Sequence, residues 1–171
     1  MPEAAEAHGQ TNSVLKDGLH PGILVRPATV EDLPRLTQLL FQLSQMGEQP
    51  ETGPREAAAV EPALRAVMAD DRSSCIVIEA ADQVHGTLTF YILPNLSFGG
   101  QPIAMIENVV VDEESRGRGF GRLLMEHAER EIREAGCVEI LLASNKRRLV
   151  AHRFYEGLGY QATHEGFTKF L

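Results

Sequence analysis

The sequence predicts an α/β fold in which helices and strands share one mixed sheet, in the order β-α-α-β-β-β-α-β-α-β-β. Two observations indicate it. Short apolar runs bounded by Gly, Pro and Asn alternate with longer stretches that carry apolar residues at helical spacing. The length of 171 residues also suits one domain. We place that domain at residues 21–171 and predict a flexible tail over residues 1–20, which are small and polar.

One strand and two helices are predicted first. ILVRPA (23–28) indicates a strand, and Thr29 with Asp32 indicates a capped helix start. A loop over 47–56 separates this helix from a second one at about 55–69. The first helix would bury one face: Leu33, Leu36, Leu39, Leu40 and Leu43. The second would bury another: Val60, Leu64, Val67 and Met68.

Three strands and a helix follow. CIVIEA (75–80) and HGTLTFYIL (85–93) indicate a hairpin, and a loop leads to the long strand IAMIENVVV (103–111). The next helix ends at Gly136 and keeps apolar residues at helical spacing: Leu124, Ala128, Ile132 and Ala135.

Four further elements complete the chain. VEILLA (138–143) indicates a buried strand, and a short helix is expected over about 147–157. YQAT (160–163) and FTKFL (167–171) indicate two final strands.

Composition and charge exclude several classes of function. A formal net charge of −8 argues against general binding to nucleic acid or to anionic membranes. No apolar run approaches the ~20 residues of a membrane span, and the N-terminus lacks a secretory pattern. Cys75 and Cys137 lie beside apolar runs without CxxC spacing. They predict buried free thiols, no metal site and a cytoplasmic location.

The most informative stretch is VVVDEESRGRGFGRLLM, residues 109–125. Three arginines and three glycines interleave in it, between a strand and a helix: Arg116, Gly117, Arg118, Gly119, Gly121 and Arg122. A glycine costs a helix or strand roughly 0.5–1 kcal/mol relative to alanine, so three of them need a reason. A helix N-terminus attracts anions, and bare backbone lets a phosphate approach closely. The stretch therefore predicts a phosphate cradle, and we expect it to bind a pyrophosphate.

Three other interpretations of this stretch are weaker. A dinucleotide fingerprint requires GxGxxG, but Arg122 stands at its last position, and Glu139 is the only match to its acidic residue. A P-loop requires GxxxxGK[ST], which the stretch lacks. A plain turn would use glycine for its shape, but it does not require arginines at alternate positions.

Two motifs resemble those of the GNAT superfamily of N-acetyltransferases. RGRGFG (116–121) is similar to the family's acetyl-CoA-binding pattern [QR]-x-x-G-x-[GA], and FYEGLGY (154–160) is similar to its F-Y-E-x-x-G-[FY] pattern. Glu107 stands where the family carries an acid before the loop. The resemblance covers residues 23–171. It implies an enzyme that transfers acetyl from acetyl-CoA to a primary amine by direct attack in a ternary complex, without a metal.

The resemblance also implies how the cofactor binds. The central sheet would splay between the strands 103–111 and 138–143, with the pantetheine arm in the gap. The pyrophosphate would lie on the amides from residue 116 to residue 122, and Asn145 would touch the cofactor arm. The implied cofactor-binding residues are Val109, Val110, Val111, Arg116, Gly117, Arg118, Gly119, Phe120, Gly121, Arg122 and Asn145.

Glu107 is the candidate base. An amine with a lysine-like pKa of ~10.4 is mostly protonated at pH 7, so something must take its proton, directly or through water. On an ideal strand Glu107 would share one side with the apolar Met105, Val109 and Val111. The alternative is that Glu107 only pairs with a cation or holds the acceptor's ammonium group.

Tyr155 is the family-matched acid for the leaving thiolate, whose cysteine-like pKa is near ~8.5. The alternative is a core role, because Ala151, Tyr155 and Leu158 follow helical spacing. His152 is interpreted as a surface or capping histidine, with a place in the acceptor site as the alternative. The run from Lys146 to Arg148 is interpreted as a solvated helix start, with contact to a CoA phosphate as the alternative.

The predicted acceptor is the amine of a small molecule. VVVDEESRGRGFG and AHRFYEGLGY look most like bacterial small-molecule acetyltransferases, including those that act on amino sugars or aminoalkylphosphonates. Acidic residues in the first two helices and their loops would suit a cationic amine. Two alternatives stay open: the acceptor could be a protein N-terminus or lysine, or the chain could be a non-catalytic acyl-CoA-binding module. A homodimer is also left open.

Overall fold

The structure is a computed structural model, which describes residues 22–46 and 53–169. The predicted tail over residues 1–20 and most of the 47–56 loop lie outside the described residues. The mixed α/β class is confirmed. The strands are β1 (Ile23–Pro27), β2 (Ser73–Ala80), β3 (Gln83–Leu93), β4 (Ile103–Val111) and β5 (Ile140–Leu142). The helices are α1 (Leu33–Ser44), α2 (Ala57–Ala69), α3 (Phe120–Glu134) and α4 (Leu149–Glu156).

The five strands form one sheet in the order β1-β2-β3-β4-β5. The first four are antiparallel neighbours, whereas β4 and β5 run parallel. Parallel pairing extends only from Ala104 opposite Ile140 to Ile106 opposite Leu142. Because β4 continues to Val111 without β5 beside it, the sheet opens there. The predicted splay is confirmed.

Helices cover both faces of the sheet. On one face α3 packs on the strands through a fully buried group: Ile76, Ile78, Leu88, Ile106, Leu124, Met125, Ala128 and Ile132. On the other face α1 and α2 bury Leu36, Leu39, Leu64, Val77, Val84 and Val110. Met68 of α2 was predicted to face inward, but it is 48% exposed. Leu64 is the one buried residue of that helix, so its contact face is narrower than its apolar pattern suggests.

The two final strands predicted after α4 are wrong for the part that the structure describes. Residues 160–169 contain no strand, and residues 161–169 are all exposed. Phe167 is the only large apolar side chain among them and is 94% exposed, so the segment has no apolar face to bury against a sheet. Because the described residues after α4 form no strand that could cover it, β5 has only three residues, and these are half-buried rather than buried.

Two simpler predictions can also be compared with the structure. Cys75 and Cys137 are free thiols, as predicted, although each is half-buried, and burial raises the pKa of both. None of the helices in the described part of the chain is long and apolar enough to cross a membrane.

Candidate active site

A β-bulge lies in β4 beside the point where the sheet opens. Thr89 pairs with Glu107 and Thr87 pairs with Val110, so Leu88 faces two residues of β4 instead of one. Asn108 takes up the extra residue with a φ of 57°, in the left-handed region that asparagine tolerates better than most residues. The bulge reverses the side-chain alternation from this point onward.

The bulge changes the neighbours of Glu107. The expectation that Glu107 shares a side with Val109 and Val111 is wrong, because it assumed an unbroken strand. Ile106 and Val109 both pack on the α3 side, so Glu107 points to the opposite side, towards α1. Its carboxylate is exposed and has no ion-pair partner among the described residues. Two of the three predicted apolar neighbours, Val109 and Val111, therefore lie on the other side of the sheet from this carboxylate.

A cleft of about 300 Å³ occupies the opening between β4 and β5. It is lined by the end of α1, the bulge, the segment after β5 and one face of α4: Leu43, Met46, Ile106, Glu107, Asn108, Val109, Ala143, Asn145, Arg148 and Tyr155. Both predicted catalytic residues are in this set. Ser144, which lies between two lining residues, has a buried hydroxyl without a partner in the described part of the chain. The cleft therefore has both apolar walls and polar groups that a ligand can satisfy.

Tyr155 has the core position that was one of the two alternatives, and it also lines the cleft, while its role as an acid stays a prediction. Its ring is part of the core and retains only 7% exposure, with Phe154 and Tyr160 as aromatic neighbours. Its hydroxyl has no hydrogen-bond partner among the described residues, and the residue lines the cleft. Burial raises the pKa of Tyr155 above its usual 10.0, although the charge of Arg148 lowers it in part. The phenol therefore stays protonated at neutral pH, so it has a proton to donate there.

The glycine-rich stretch forms a turn that enters α3. Gly117 has a φ of 78° and Gly119, the residue before the helix, has a φ of 84°. Both need the left-handed region that glycine occupies without strain. A Cβ atom at either position would meet nothing within 4 Å, so both face open space. Gly121 differs, because its Cβ would lie 3.2 Å from the Phe154 ring; this glycine lets α3 pack against α4.

The amides of this turn are free to bind a ligand. The N–H groups of residues 117–122 have no acceptor in the part of the chain that the structure describes, and the first bond of the helix runs from the Leu123 N–H to the Gly119 carbonyl. We call residues 117–122 the amide cradle. Unpaired amides at a helix start, with open space before them, have the geometry that suits an anion, so the predicted phosphate cradle stays a prediction.

The three arginines around the cradle point in different directions. The Arg116 guanidinium lies 3.9 Å from the Met46 sulfur, and that of Arg118 lies 4.9 Å from the centre of the Phe120 ring. Arg122 donates to the Gly157 carbonyl at 3.4 Å. They add positive potential near the cradle, but their guanidinium groups do not converge on one binding point. The ring of Phe120 is buried, so only its amide faces the cradle.

Asp112, which the sequence analysis did not identify, ties the start of this turn to α1. It is 6% exposed, and it accepts hydrogen bonds from the Glu114 N–H, the Arg35 guanidinium and the Gln42 amide. Burial alone would raise the pKa of Asp112, but the Glu114 N–H and the Arg35 charge outweigh burial and hold that pKa below its usual 3.8.

Replacing this carboxylate should destabilise the protein in a pH-dependent way. We expect Asp112→Asn to lower the free energy of unfolding by about 2–3 kcal/mol at pH 7, since it removes a hydrogen-bonded charge from a nearly buried site. A lowered pKa stabilises the fold above the unfolded-state pKa, and this contribution is lost as the pH falls through the folded-state value. Urea unfolding should therefore show the two proteins converging below about pH 4. Asp70→Asn, at an exposed pair with Arg72, is the control and should have a much smaller effect; an equal loss at pH 3 and pH 7 would contradict the argument.

The segment between β5 and α4 supplies polar groups to the cleft. The Asn145 side-chain oxygen accepts from the Arg147 N–H at 2.9 Å, which leaves the amide NH₂ group for a ligand. The His152 ring bonds the Asn145 carbonyl at 3.0 Å, so this histidine holds the turn, in keeping with its exclusion from the catalytic set. Lys146 and Arg147 are exposed before α4, whereas Arg148, at the start of this helix, is half-buried and lines the cleft. The spacing of Arg148, His152 and Tyr155 was the signal that would have found it, since i, i+4 and i+7 share a helix face.

None of the described acidic residues from the first two helices lines the cleft, and Glu48 and Glu51 lie outside the described ranges. Asp32 bonds Arg26 and the Thr29 N–H, and Glu61 pairs with Arg65. The charged residues that do line the cleft are Glu107 and Arg148.

Known proteins resemble this chain in sequence and in fold. A model of the acetyltransferase (GNAT) family matches residues 36–160. A glucosamine 6-phosphate N-acetyltransferase of Trypanosoma brucei brucei is 36% identical over 80 residues, which are 47% of this chain and 52% of that protein. An aminoalkylphosphonate N-acetyltransferase of Salmonella typhimurium is 42% identical over 69 residues, 40% of this chain and 45% of that protein. The chain thus spans about half the length of these curated relatives.

A solved structure extends the similarity to the whole fold. A transcriptional regulator from Bacillus halodurans C-125 superposes with a TM-score of 0.80 at 29% identity. The match covers 87% of this chain and 99% of that chain. The fold of this chain is therefore similar to one that is already known.

Proposed function

Because the chain belongs to the acetyltransferase (GNAT) family, we propose that it transfers an acetyl group from acetyl-CoA to the primary amine of a small molecule. The observation that carries this proposal is the cleft where the sheet opens. There Glu107 and Tyr155 line one cavity, and Phe154, beside Tyr155, packs against Gly121 of the turn whose amides have no acceptor among the described residues. Both substrates would be bound together, and the amine would attack directly.

The residues fit the parts of acetyl-CoA, which supplies the thioester when bound. The amide cradle, with two glycines in the left-handed region, suits the pyrophosphate. On the side of β4 that faces away from β3, Val109 to Val111 have no strand beside them among the described residues, which suits the amides of the pantetheine arm. The free NH₂ group of Asn145 suits the same arm. No group of three or more His, Cys, Asp or Glu residues able to hold a metal lies in the described ranges, and the proposal requires none.

Two side chains would move protons. Glu107, exposed to the cleft, takes a proton from the acceptor's ammonium group, directly or through a water molecule. Tyr155, whose pKa is raised by burial, holds its proton at neutral pH and donates it to the leaving sulfur. The two groups lie on β4 and α4, on either side of the opening in the sheet. One can therefore face the amine while the other faces the thioester.

The small-molecule acceptor is supported by the relatives. Two of them are N-acetyltransferases of small amines, an amino sugar phosphate and an aminoalkylphosphonate. We propose that the chain acts on an acceptor of similar size, since the cleft of about 300 Å³ admits a small molecule. Cytoplasmic location, suggested by the two free cysteines, and a homodimer stay predictions.

A second candidate is a non-catalytic acyl-CoA sensor. The similarity to a protein described as a transcriptional regulator favours it. A sensor would need the amide cradle but neither the carboxylate of Glu107 nor the phenol of Tyr155.

Thiol release distinguishes the two functions. We would incubate the protein with acetyl-CoA and a panel of amino sugars, aminoalkylphosphonates, other small amines and peptides, and measure free thiol and acetylated product. The expected result is amine-dependent thiol release with a small amine and an N-acetylated product of matching mass. Binding of acetyl-CoA by calorimetry without turnover on any amine would support the sensor instead.

A further inference from the structure

Arg148 is distinct among the basic residues of the described ranges. Four arginines are half-buried there: Arg26, Arg35, Arg130 and Arg148. The first pairs with Asp32 and Glu79, the second with Asp112, and the third bonds the His127 ring. The guanidinium of Arg148 has no hydrogen bond, ion pair or ring contact with any described residue. A half-buried guanidinium without a partner in the described chain has donors available to an anionic ligand in the cleft.

The position of Arg148 indicates which ligand would pair with it. It lines the cleft together with Glu107 and Tyr155, whereas none of the cradle residues 117–122 lines that cavity. It is also close enough to lower the pKa of Tyr155. Arg148 therefore belongs to the reacting end of the opening and not to the pyrophosphate end.

The cleft thus carries two unpaired charges of opposite sign. Glu107 is the one carboxylate and Arg148 the one cation among the lining residues of the described chain, and they lie on β4 and at the start of α4. The other lining residues are uncharged. A single molecule that pairs with both charges must carry an ammonium group and an oxyanion group.

We propose that the acceptor is a small amine that also carries an oxyanion, and that Arg148 binds this oxyanion. The inference rests on the proposed acetyl transfer and names its substrate class. The planar guanidinium fork matches a phosphate, phosphonate or carboxylate through two parallel hydrogen bonds. Glu107 faces the amine of the same molecule. Arg148 thereby selects the acceptor and orients its amine towards the thioester.

A matched set of amines tests the proposal. The probes are 2-aminoethylphosphonate, O-phosphoethanolamine and β-alanine, with n-propylamine as the neutral amine of similar length. The wild-type protein should acetylate at least one of the anionic amines with a kcat/KM about 10-fold or more above that for n-propylamine. Arg148→Met should raise the KM for that amine about 10- to 100-fold with little change in kcat, as expected for a lost charged hydrogen bond. Arg148→Lys should restore part of the affinity.

Arg147→Met is the control, since Arg147 is an exposed neighbour that does not line the cleft. It should change no KM by more than about twofold. Equal use of n-propylamine and the anionic amines would overturn the proposal. So would a higher KM for acetyl-CoA in Arg148→Met with the acceptor KM unchanged, because Arg148 would then serve the cofactor.

Direct binding separates this inference from the proposed function. Calorimetric titration of the anionic amines into protein saturated with CoA should give a weaker affinity in Arg148→Met than in the wild type. Such a difference without any turnover would refute acetyl transfer but keep the oxyanion site. Turnover with identical affinities in both proteins would keep acetyl transfer and refute the site.

Discussion

Replacing Tyr155 by phenylalanine is expected to lower kcat by at least about 10²-fold, since general acid help is typically worth ~10²–10⁴-fold. The phenylalanine ring keeps the contacts with Phe154 and Tyr160, so the fold should persist. The hydroxyl that is lost has no hydrogen-bond partner in the described residues, so its removal leaves no buried group unsatisfied. Steady-state kinetics should therefore show a fall in kcat with the KM for acetyl-CoA changed less than about threefold.

Tyr160→Phe is the matched control for this change. Tyr160 also lies beside α4 and is partly buried, but its hydroxyl bonds Glu129 at 3.0 Å and does not line the cleft. We expect it to reduce stability slightly and to leave kcat within about twofold. If both variants lost the same fraction of kcat, the tyrosines would act through packing. An unchanged kcat in Tyr155→Phe would remove the phenol from the mechanism.

The pH dependence provides a second measure of the same role. Burial raises the pKa of the Tyr155 phenol above its usual 10.0, so the proton is present throughout the neutral range. An alkaline fall in wild-type kcat that belongs to this phenol should therefore appear only above about pH 10. The same fall should be absent from the phenylalanine variant.

The amide cradle was predictable from sequence because its chemistry belongs to the backbone. Glycine leaves the backbone unshielded and able to adopt left-handed conformations. The glycines at positions 117 and 119 therefore indicate this turn directly in the sequence. Helical spacing likewise placed Leu124, Ala128 and Ile132 in the core. Such features depend on local geometry, which a sequence expresses directly.

Features that depend on a second strand were not predictable in the same way. The bulge at Asn108 arises from how β4 pairs with β3, and it places Val109 and Val111 on the side of the sheet opposite to Glu107. The two final strands failed for a related reason, since a strand needs an apolar face and a neighbour, and residues 161–169 have neither. The Asp112–Arg35 pair joins residues far apart in the chain and left no local pattern.

Gly119→Ala is expected to weaken the binding of CoA about 10-fold or more. The new methyl group would project into the open space before the amides of residues 117–122, where the proposal seats the pyrophosphate. The variant also carries a conformational cost, because a residue with a side chain loses roughly 1–2 kcal/mol in the left-handed region. Calorimetric titration with CoA measures the first effect, and urea unfolding measures the second.

Gly99→Ala separates the two effects of that substitution. Gly99 has a φ of 69° and also faces open space, but it lies in the turn between β3 and β4, outside the amide cradle. Both alanine variants should therefore lose similar stability, whereas only Gly119→Ala should lose affinity for CoA. Equal affinities would mean that the anion does not approach the backbone at residue 119, and the left-handed glycines would then serve only the shape of the turn. A selective loss would tie CoA binding to the unshielded amides that begin α3, which is the one feature that the enzyme and the sensor both require.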